Sequence, residues 1–143
     1  MNIYKGKDPE LRVKCTVVSE FNEELRETAT NMFLTMLRHQ GIGLAAPQVG
    51  LNKRIIVINV KKPTILINPV IISKRGKVVS RERCLSLPSM ECSVERAKMI
   101  KVKYQTGHGL KKVQEFKKLE SIVIQHEINH LDGILMHDIQ SEA

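Results

Sequence analysis

The spacing of apolar residues predicts two helices separated by a long β-rich segment. Over 21–40, apolar side chains recur every three or four residues and charged residues occupy the other side, as in an amphipathic helix. Gly41 is expected to stop this helix. The helical period returns over Lys118–Leu131 and Gly133 follows it. One face of the second helix would consist of Leu119, Ile122, Val123, His126 and His130.

Short β-branched or alternating runs between the helices predict strands. These runs are Arg54–Val60, Thr64–Ile67, Val70–Ile72, Lys77–Arg81, Met99–Gln105 and Leu110–Phe116. Asn68-Pro69 is expected to close the second run, and Lys74-Arg75-Gly76 to join the third and fourth as a hairpin. The glycine-rich segment 41–50 reads as a tight loop. The predicted class is α+β, with mostly antiparallel strands around a central helix.

Composition narrows the class of protein without identifying it. A length of 143 residues and a hydrophobic content of 42% suit one domain over 1–143. Neither a signal peptide nor an apolar run long enough to span a membrane is visible, and three cysteines without a CxxC favour a reducing compartment. We therefore expect a cytoplasmic protein. The net charge of +8 suits a well-solvated basic surface or anionic surroundings such as RNA, although only 3% of residues are aromatic.

The segment His126-Glu127-Ile128-Asn129-His130 carries the strongest chemical signal. Positions i and i+4 lie on one face of a helix, so the two imidazoles can bind one metal ion. Glu127 is rotated by about 100° from His126, which suits a proton-transfer role better than ligation. A composition-matched random chain would contain about 0.01 copies of HExxH, so coincidence is a weak explanation.

A catalytic metal usually takes three protein ligands, and the third is not evident from this helix alone. Only 13 residues follow His130, which leaves little room for a distant downstream ligand. In one extended form of the HExxH motif a third histidine ligand follows ten residues after the first, and in this chain that position is Met136. An upstream ligand is therefore expected, and the candidates are Cys84, Cys92, His108 and His39.

Three segments in this order resemble the peptide deformylase family: Gly41-Ile-Gly-Leu-Ala-Ala-Pro-Gln48, Glu82-Arg-Cys-Leu-Ser86 and His126-Glu-Ile-Asn-His130-Leu-Asp-Gly133. The resemblance implies a hydrolase that removes the formyl group from the initiator methionine of new polypeptides and releases formate. It makes Cys84, His126 and His130 ligands of one divalent ion, with Fe²⁺ favoured, Zn²⁺ next, and Ni²⁺ or Co²⁺ as substitutes.

The same resemblance assigns the remaining site roles. Glu127 would be the general acid and base, and the side-chain amide of Gln48 and the backbone amide of Leu85 would hold the oxyanion. The backbone of Gly43 would pair with an extended substrate, and Arg96 would pair with Glu82. The pocket for the first methionine side chain would be lined by Leu119, Ile122 and Val123.

The chain departs from the family pattern at two positions. Arg83 stands where glycine is usual, beside the proposed ligand Cys84, and Asn129 replaces the usual aspartate between the histidines. The chain also ends soon after the last motif, which resembles compact, phage-encoded forms without a C-terminal ribosome-docking helix. We expect a monomer that acts on N-formylmethionyl peptides, does not bind membranes and does not necessarily dock on the ribosome. If the gene is viral, the host cytoplasm is the expected location.

Two other functions remain open from the sequence. A metallopeptidase acting on unblocked peptides would use the same ligands but release amino acids instead of formate. A basic RNA-associated protein that kept the fold would bind RNA with a strong salt dependence and would show no metal-linked activity.

Overall fold

A computed structural model describes residues 1–141 and contains two α-helices and seven β-strands in that range. The helices are α1 (Glu23–Arg38) and α2 (Lys118–Leu131). The strands are β1 (Gly43–Ala45), β2 (Ile55–Asn59), β3 (Pro63–Arg75), β4 (Val78–Cys84), β5 (Leu87–Arg96), β6 (Met99–Gln105) and β7 (Lys111–Lys117). Short 3₁₀ helices span Pro9–Arg12, Ala46–Val49 and Met136–Asp138.

All pairings within the two sheets are antiparallel. Five strands form one sheet in the order β1-β2-β3-β6-β7, and β4 with β5 forms a separate two-stranded sheet. The predicted α+β class with antiparallel strands is therefore confirmed, and α2 is the helix that carries the HExxH segment.

The two helices cover opposite faces of the larger sheet. Alternate residues of β2 point to opposite sides, so Ile55 and Val57 pack with α1, whereas Ile56 and Ile58 pack with α2. Burial on both faces explains why β2 reads as a continuous apolar run. The α2 side is extended by Ile100, Val102 and Phe116 from β6 and β7.

Both predicted helices are confirmed, with small differences at their ends. Asn22 caps α1 by accepting a hydrogen bond from the backbone N–H of Leu25 at 3.0 Å. The helix ends at Arg38, and Gln40 takes a positive φ of 59° before Gly41, whose N–H bonds the carbonyl of Met36 at 2.9 Å. The second helix occupies the predicted range.

The prediction that Asn68-Pro69 closes a strand was wrong, because β3 continues through it. Asn68 adopts a φ of 53°, and the pairing with β6 shifts register between Ile67 and Val70. The Asn68 side chain accepts from the N–H of Val18 and donates to the Val18 carbonyl. Local propensity therefore predicts a strand end at Asn68. The strand continues because Val18, 50 positions away in sequence, stabilises the irregularity.

The predicted hairpin around Lys74-Arg75-Gly76 was also wrong. β3 pairs with β6, and β4 pairs with β5, so the strands on either side of this turn belong to different sheets. Strand β5 was not predicted, since its burial pattern is irregular and most of its first half is exposed. The segment 41–50 is not wholly a loop either, because Gly43–Ala45 pairs with β2.

Candidate active site

Three side chains of the kinds that can bind a metal ion, from β4 and α2, converge in the interior. The ligand atoms of Cys84, His126 and His130 all lie within 4.8 Å of one another, and all three residues are buried. The Cys84 Sγ is 3.3 Å from the His130 Nε2, and the two imidazole centroids are 5.1 Å apart. No other group of this kind occurs within residues 1–141.

The other cysteine and histidines considered as the third ligand do not join this cluster. His39 and His108 are exposed. Cys92 is buried in the same apolar cluster as Cys84 but does not belong to the three-ligand group. Of the four candidates that the sequence left open, the described structure brings only Cys84 to the two histidines.

A buried ion pair orients the His126 ring. Nδ1 of His126 lies 2.8 Å from Oε1 of Glu82, so its N–H donates to the carboxylate and Nε2 remains for the site. Arg96 donates to both oxygens of Glu82, at 2.8 and 2.7 Å, as expected from the sequence. Burial opposes the charged carboxylate, but hydrogen bonds from Arg96 and His126 outweigh it and lower the pKa of Glu82 to about 2.

Asn129 belongs to the same network. Its Oδ1 accepts a hydrogen bond from Nη1 of Arg96 at 2.5 Å, so the amide serves as an acceptor for the guanidinium without a formal charge. Arg96 therefore connects the β4 carboxylate to the segment between the two histidines, which holds β4 and α2 together at the site.

The three titratable groups of the segment 126–130 have strongly shifted pKa values. Burial alone disfavours charge on His126, but Glu127, Cys84 and Glu82 raise its pKa to about 10. Burial, reinforced by the charges of His126 and Arg96, holds the pKa of His130 well below its usual value, so that ring is neutral. Burial raises the pKa of Glu127 to about 7, against the attraction of His126. A carboxyl that titrates near neutral pH suits general acid and base catalysis.

Glu127 lacks a complete set of hydrogen-bond partners. It is 4% exposed, and its Oε1 has no partner among the described residues. A buried carboxylate oxygen normally has one, so this atom has the capacity to bind a reacting water.

Gln48 and the turn after Cys84 place amide donors next to the ligand cluster. The Gln48 Nε2 donates to the Cys84 Sγ at 3.6 Å and to the Ser86 Oγ at 3.2 Å, while its Oε1 accepts from the N–H of Ala45 at 2.9 Å. Leu85 lies in the two-residue turn between β4 and β5. Ser86 is fully buried and was not singled out as a site residue, although it ends the motif that contains Cys84.

Gly43 leaves room for the Glu127 carboxylate. A Cβ at this position would lie 2.6 Å from Oε2 of Glu127 and 2.7 Å from Cγ1 of Val123. β1 is also the edge strand of the larger sheet, so one side of its backbone is not paired with another strand among residues 1–141. Of the predicted pocket residues, Val123 is buried, Ile122 is intermediate and Leu119 is 49% exposed.

Replacing Gly43 with alanine is expected to lower kcat by about 10²-fold, because the new Cβ would displace the Glu127 carboxylate. Steady-state release of formate, the product that the family resemblance implies, measures the effect. Gly107→Ala is the matched control, since its Cβ would meet only the flexible side chain of Arg26, nearest at 3.0 Å. A Gly43→Ala protein with wild-type kcat would contradict the assigned position of Glu127.

Arg83 does not enter the ligand cluster. Its side chain is 81% exposed, and its Nε donates to Oε2 of Glu91 on the neighbouring strand at 3.1 Å. Its φ is not positive, because the non-glycine residues with positive φ in the described chain are Gln40, Asn68 and Lys118. An arginine is therefore accommodated here without backbone strain.

A cysteine, two histidines and a neighbouring buried glutamate on an HExxH helix define a metal-dependent hydrolase. The polypeptide deformylase family model matches residues 1–143. A peptide deformylase of Dictyoglomus thermophilum is 44% identical over 95% of this chain and 90% of its own. The chain belongs to the polypeptide deformylase family.

Solved structures agree over almost the whole chain. The peptide deformylase of Thermotoga maritima superposes with a TM-score of 0.95 at 39% identity and covers 98% of this chain and 97% of its own. A Met-Ala-Ser-bound class I type b deformylase from Acinetobacter baumannii has a TM-score of 0.94 at 31% identity, with 97% of each chain covered.

Proposed function

We propose that this protein hydrolyses the N-formyl group of formylmethionyl peptides at the cluster of Cys84, His126 and His130. The observation that carries the proposal is the convergence of these three ligand atoms within 4.8 Å, in a chain of the deformylase family. The buried Glu127 follows His126 directly on α2, and the Gln48 amide lies on the Cys84 side of the cluster.

The donor set fits one divalent ion held by Cys84 Sγ and the Nε2 atoms of His126 and His130. A thiolate with two imidazoles suits Fe²⁺ or Zn²⁺, and we propose Fe²⁺ as the native ion, with Zn²⁺ next and Ni²⁺ or Co²⁺ as substitutes. When bound, such an ion supplies Lewis acidity, which lowers the pKa of a coordinated water towards about 7 and polarises the formyl carbonyl.

Metal affinity is expected to rise with pH across the neutral range. Because the pKa of His126 is raised to about 10 in the metal-free protein, a proton occupies the ring below that pH and must leave when metal binds. Each proton displaced makes Zn²⁺ affinity rise about tenfold per pH unit, and any proton on the Cys84 thiol adds to that of His126. Calorimetry in buffers of different ionisation enthalpy counts the released protons, and a pH-independent affinity from 6.5 to 8.5 would contradict the prediction.

Glu127, Gln48 and Leu85 have different roles in the proposed hydrolysis. Glu127 takes a proton from the attacking water, whose oxygen bonds to the formyl carbon. The Gln48 Nε2 and the Leu85 N–H donate to the oxygen that becomes negative, and one such donor contributes about 10²–10³ in kcat in comparable sites. Glu127 then passes a proton to the leaving nitrogen as the C–N bond breaks, and formate and a free amino terminus result.

The substrate is proposed to bind as an extended strand beside β1. The free edge of β1 at Gly43 offers backbone donors and acceptors to such a chain. The first methionine side chain would then contact Val123, with Ile122 and the partly exposed Leu119 towards the opening. The Met-Ala-Ser complex of the Acinetobacter relative supports a peptide beginning with methionine as the ligand.

Formate release from formyl-Met-Ala by anaerobically purified protein tests the proposal. We expect turnover that a chelator abolishes and that added Fe²⁺ or Zn²⁺ restores. Release of free amino acids from unblocked peptides, without formate, would instead identify a metallopeptidase. Bound metal with neither activity would contradict both hydrolytic functions.

We propose that the chain is one domain that acts as a cytoplasmic monomer. Its three cysteines are buried and unpaired, which supports a reducing compartment. None of the helices in the described range is long and apolar enough to cross a membrane. Size-exclusion chromatography with light scattering measures the oligomeric state.

A further inference from the structure

The face of the larger sheet that α1 covers on β1, β2 and the first half of β3 continues uncovered onto the rest of β3 and onto β6 and β7. The register places Val70 beside Lys103 and Lys103 beside Val113, and all three are exposed. Lys101 occupies the next outward position of β6 and is exposed as well. The apolar cluster that contains the buried side of α1 includes Ile65 and Ile67 of β3 but no residue of β6 or β7, so the face beyond Ile67 lies open in the described structure.

Several cations of the chain lie on this face. Residues 98–118 contain seven lysines and one glutamate, and the register places four of these lysines and Glu115 on the open side, whereas Lys112 pairs with Tyr104 on the α2 side. We name as the open basic face the outward cations of the three strands: Arg75, Lys101, Lys103, Lys111 and Lys117. Lys117 lies 3.7 Å from Glu115, whereas the other four form no ion pair with residues 1–141.

We propose that the open basic face binds the phosphate backbone of duplex RNA. Outward side chains recur every two residues along a strand, about 6.6–6.8 Å apart, so β6 and its neighbours present an array of cations around one carboxylate, Glu115. Phosphate contacts by such an array release counterions and require no base recognition. The face has no aromatic side chain on which a base could stack, which favours a paired backbone over single strands.

The apolar residues of the face do not favour a lipid surface. Val70 and Val113 are 55% and 59% exposed, but the register places both of them directly beside Lys103. A valine side chain is shorter than a lysine side chain, so we expect the ammonium groups to meet a partner first. The acidic residues Glu23 and Glu24 begin α1, whose Arg26 donates to the Gly107 carbonyl in the β6–β7 turn. The acidic start of α1 is therefore close to the β6–β7 turn, and we expect RNA to contact the part of the face away from that turn.

The test compares two double variants of the whole protein that each lose two positive charges. Lys101→Gln with Lys103→Gln removes the centre of the face, and Lys7→Gln with Lys14→Gln removes two exposed lysines of the amino-terminal segment. Binding to a 20-base-pair RNA duplex is measured by fluorescence anisotropy at several salt concentrations. Unchanged formate release by the β6 variant shows that it is folded, since neither lysine belongs to the proposed catalytic site.

The wild-type protein should bind the duplex with a steep salt dependence. The β6 variant should bind about tenfold more weakly, with a log–log salt slope smaller by roughly 2, while the amino-terminal variant stays within about threefold of wild type. Equal losses in both variants would overturn the proposal, because bulk charge would then explain binding. Binding to phosphatidylserine-containing vesicles without binding to RNA would also overturn it.

Discussion

Glu127→Gln is expected to lower kcat for formate release by about 10²- to 10⁴-fold while the protein retains one equivalent of metal. The amide keeps the shape of the carboxylate but cannot take a proton from water or return one to the leaving nitrogen. The burial that raises the pKa of Glu127 to about 7 makes it effective near neutral pH, so both the height and the pH profile of kcat should change.

Glu120→Gln provides the matched control for this prediction. Glu120 is also buried on α2 but lies two turns before Glu127, 3.9 Å from Lys61. We expect its kcat to be unchanged. A Glu127→Gln protein with wild-type kcat would exclude Glu127 as the acid and base, and loss of metal from the same variant would count against the proposed ligand set. Metal content is measured by emission spectrometry on the same samples as the kinetics.

Cys84→Ser is expected to weaken metal binding by more than about 100-fold and to remove activity in parallel. Changes to residues that merely orient a ligand typically cost 10- to 100-fold, so loss of a thiolate ligand should exceed that range. A serine hydroxyl is also a poor replacement, since it remains protonated at neutral pH. Competition with a chromophoric chelator measures affinity for Zn²⁺.

Cys92→Ser is the matched control for Cys84→Ser. It places a hydroxyl in the same apolar cluster, with the same expected loss of stability, but does not remove a proposed metal ligand. Cys92 and Cys84 are both buried in the cluster that includes Leu11, Val94 and Met136. The control should lose some thermal stability but keep its metal and kcat. Equal loss of metal from both variants, or none from Cys84→Ser, would contradict the assignment of Cys84. Circular dichroism of Cys84→Ser, Cys84→Ala and Cys92→Ser shows whether each variant is folded. Loss of metal is thereby distinguished from loss of fold.

Local patterns predicted the elements that carry most of the chemistry. The helical period over Lys118–Leu131 placed both histidines on one face before any tertiary contact was known, because i and i+4 neighbours follow from helix geometry alone. The alternation over Met99–Gln105 predicted β6 with its observed bounds. The positions of Gln48, Leu85 and Gly43 in the site were inferred from resemblance to a family, since nothing in their local pattern indicates a shared site.

Pairing between distant strands was not predictable from local patterns. Propensity describes one strand at a time, so it placed a hairpin at Gly76 and a strand end at Asn68, and it missed β5. Asn68 remains within β3 because its amide bonds Val18 from another part of the chain. Such contacts act between residues far apart in sequence, and the spacing of apolar residues carries no record of them.

The sequence by itself determined the two helices, the β-rich middle and a helical segment with two histidines on one face and an adjacent carboxylate. Spacing alone left four residues open as the third ligand. Family resemblance favoured Cys84, and the fold brings only Cys84 to the histidines, because the end of β4 lies against α2, where Glu82 contacts both His126 and Arg96. The open basic face was likewise decided by tertiary structure. Lysines on different strands form one surface only because the strand register aligns their side chains on the side of the sheet that α1 does not cover.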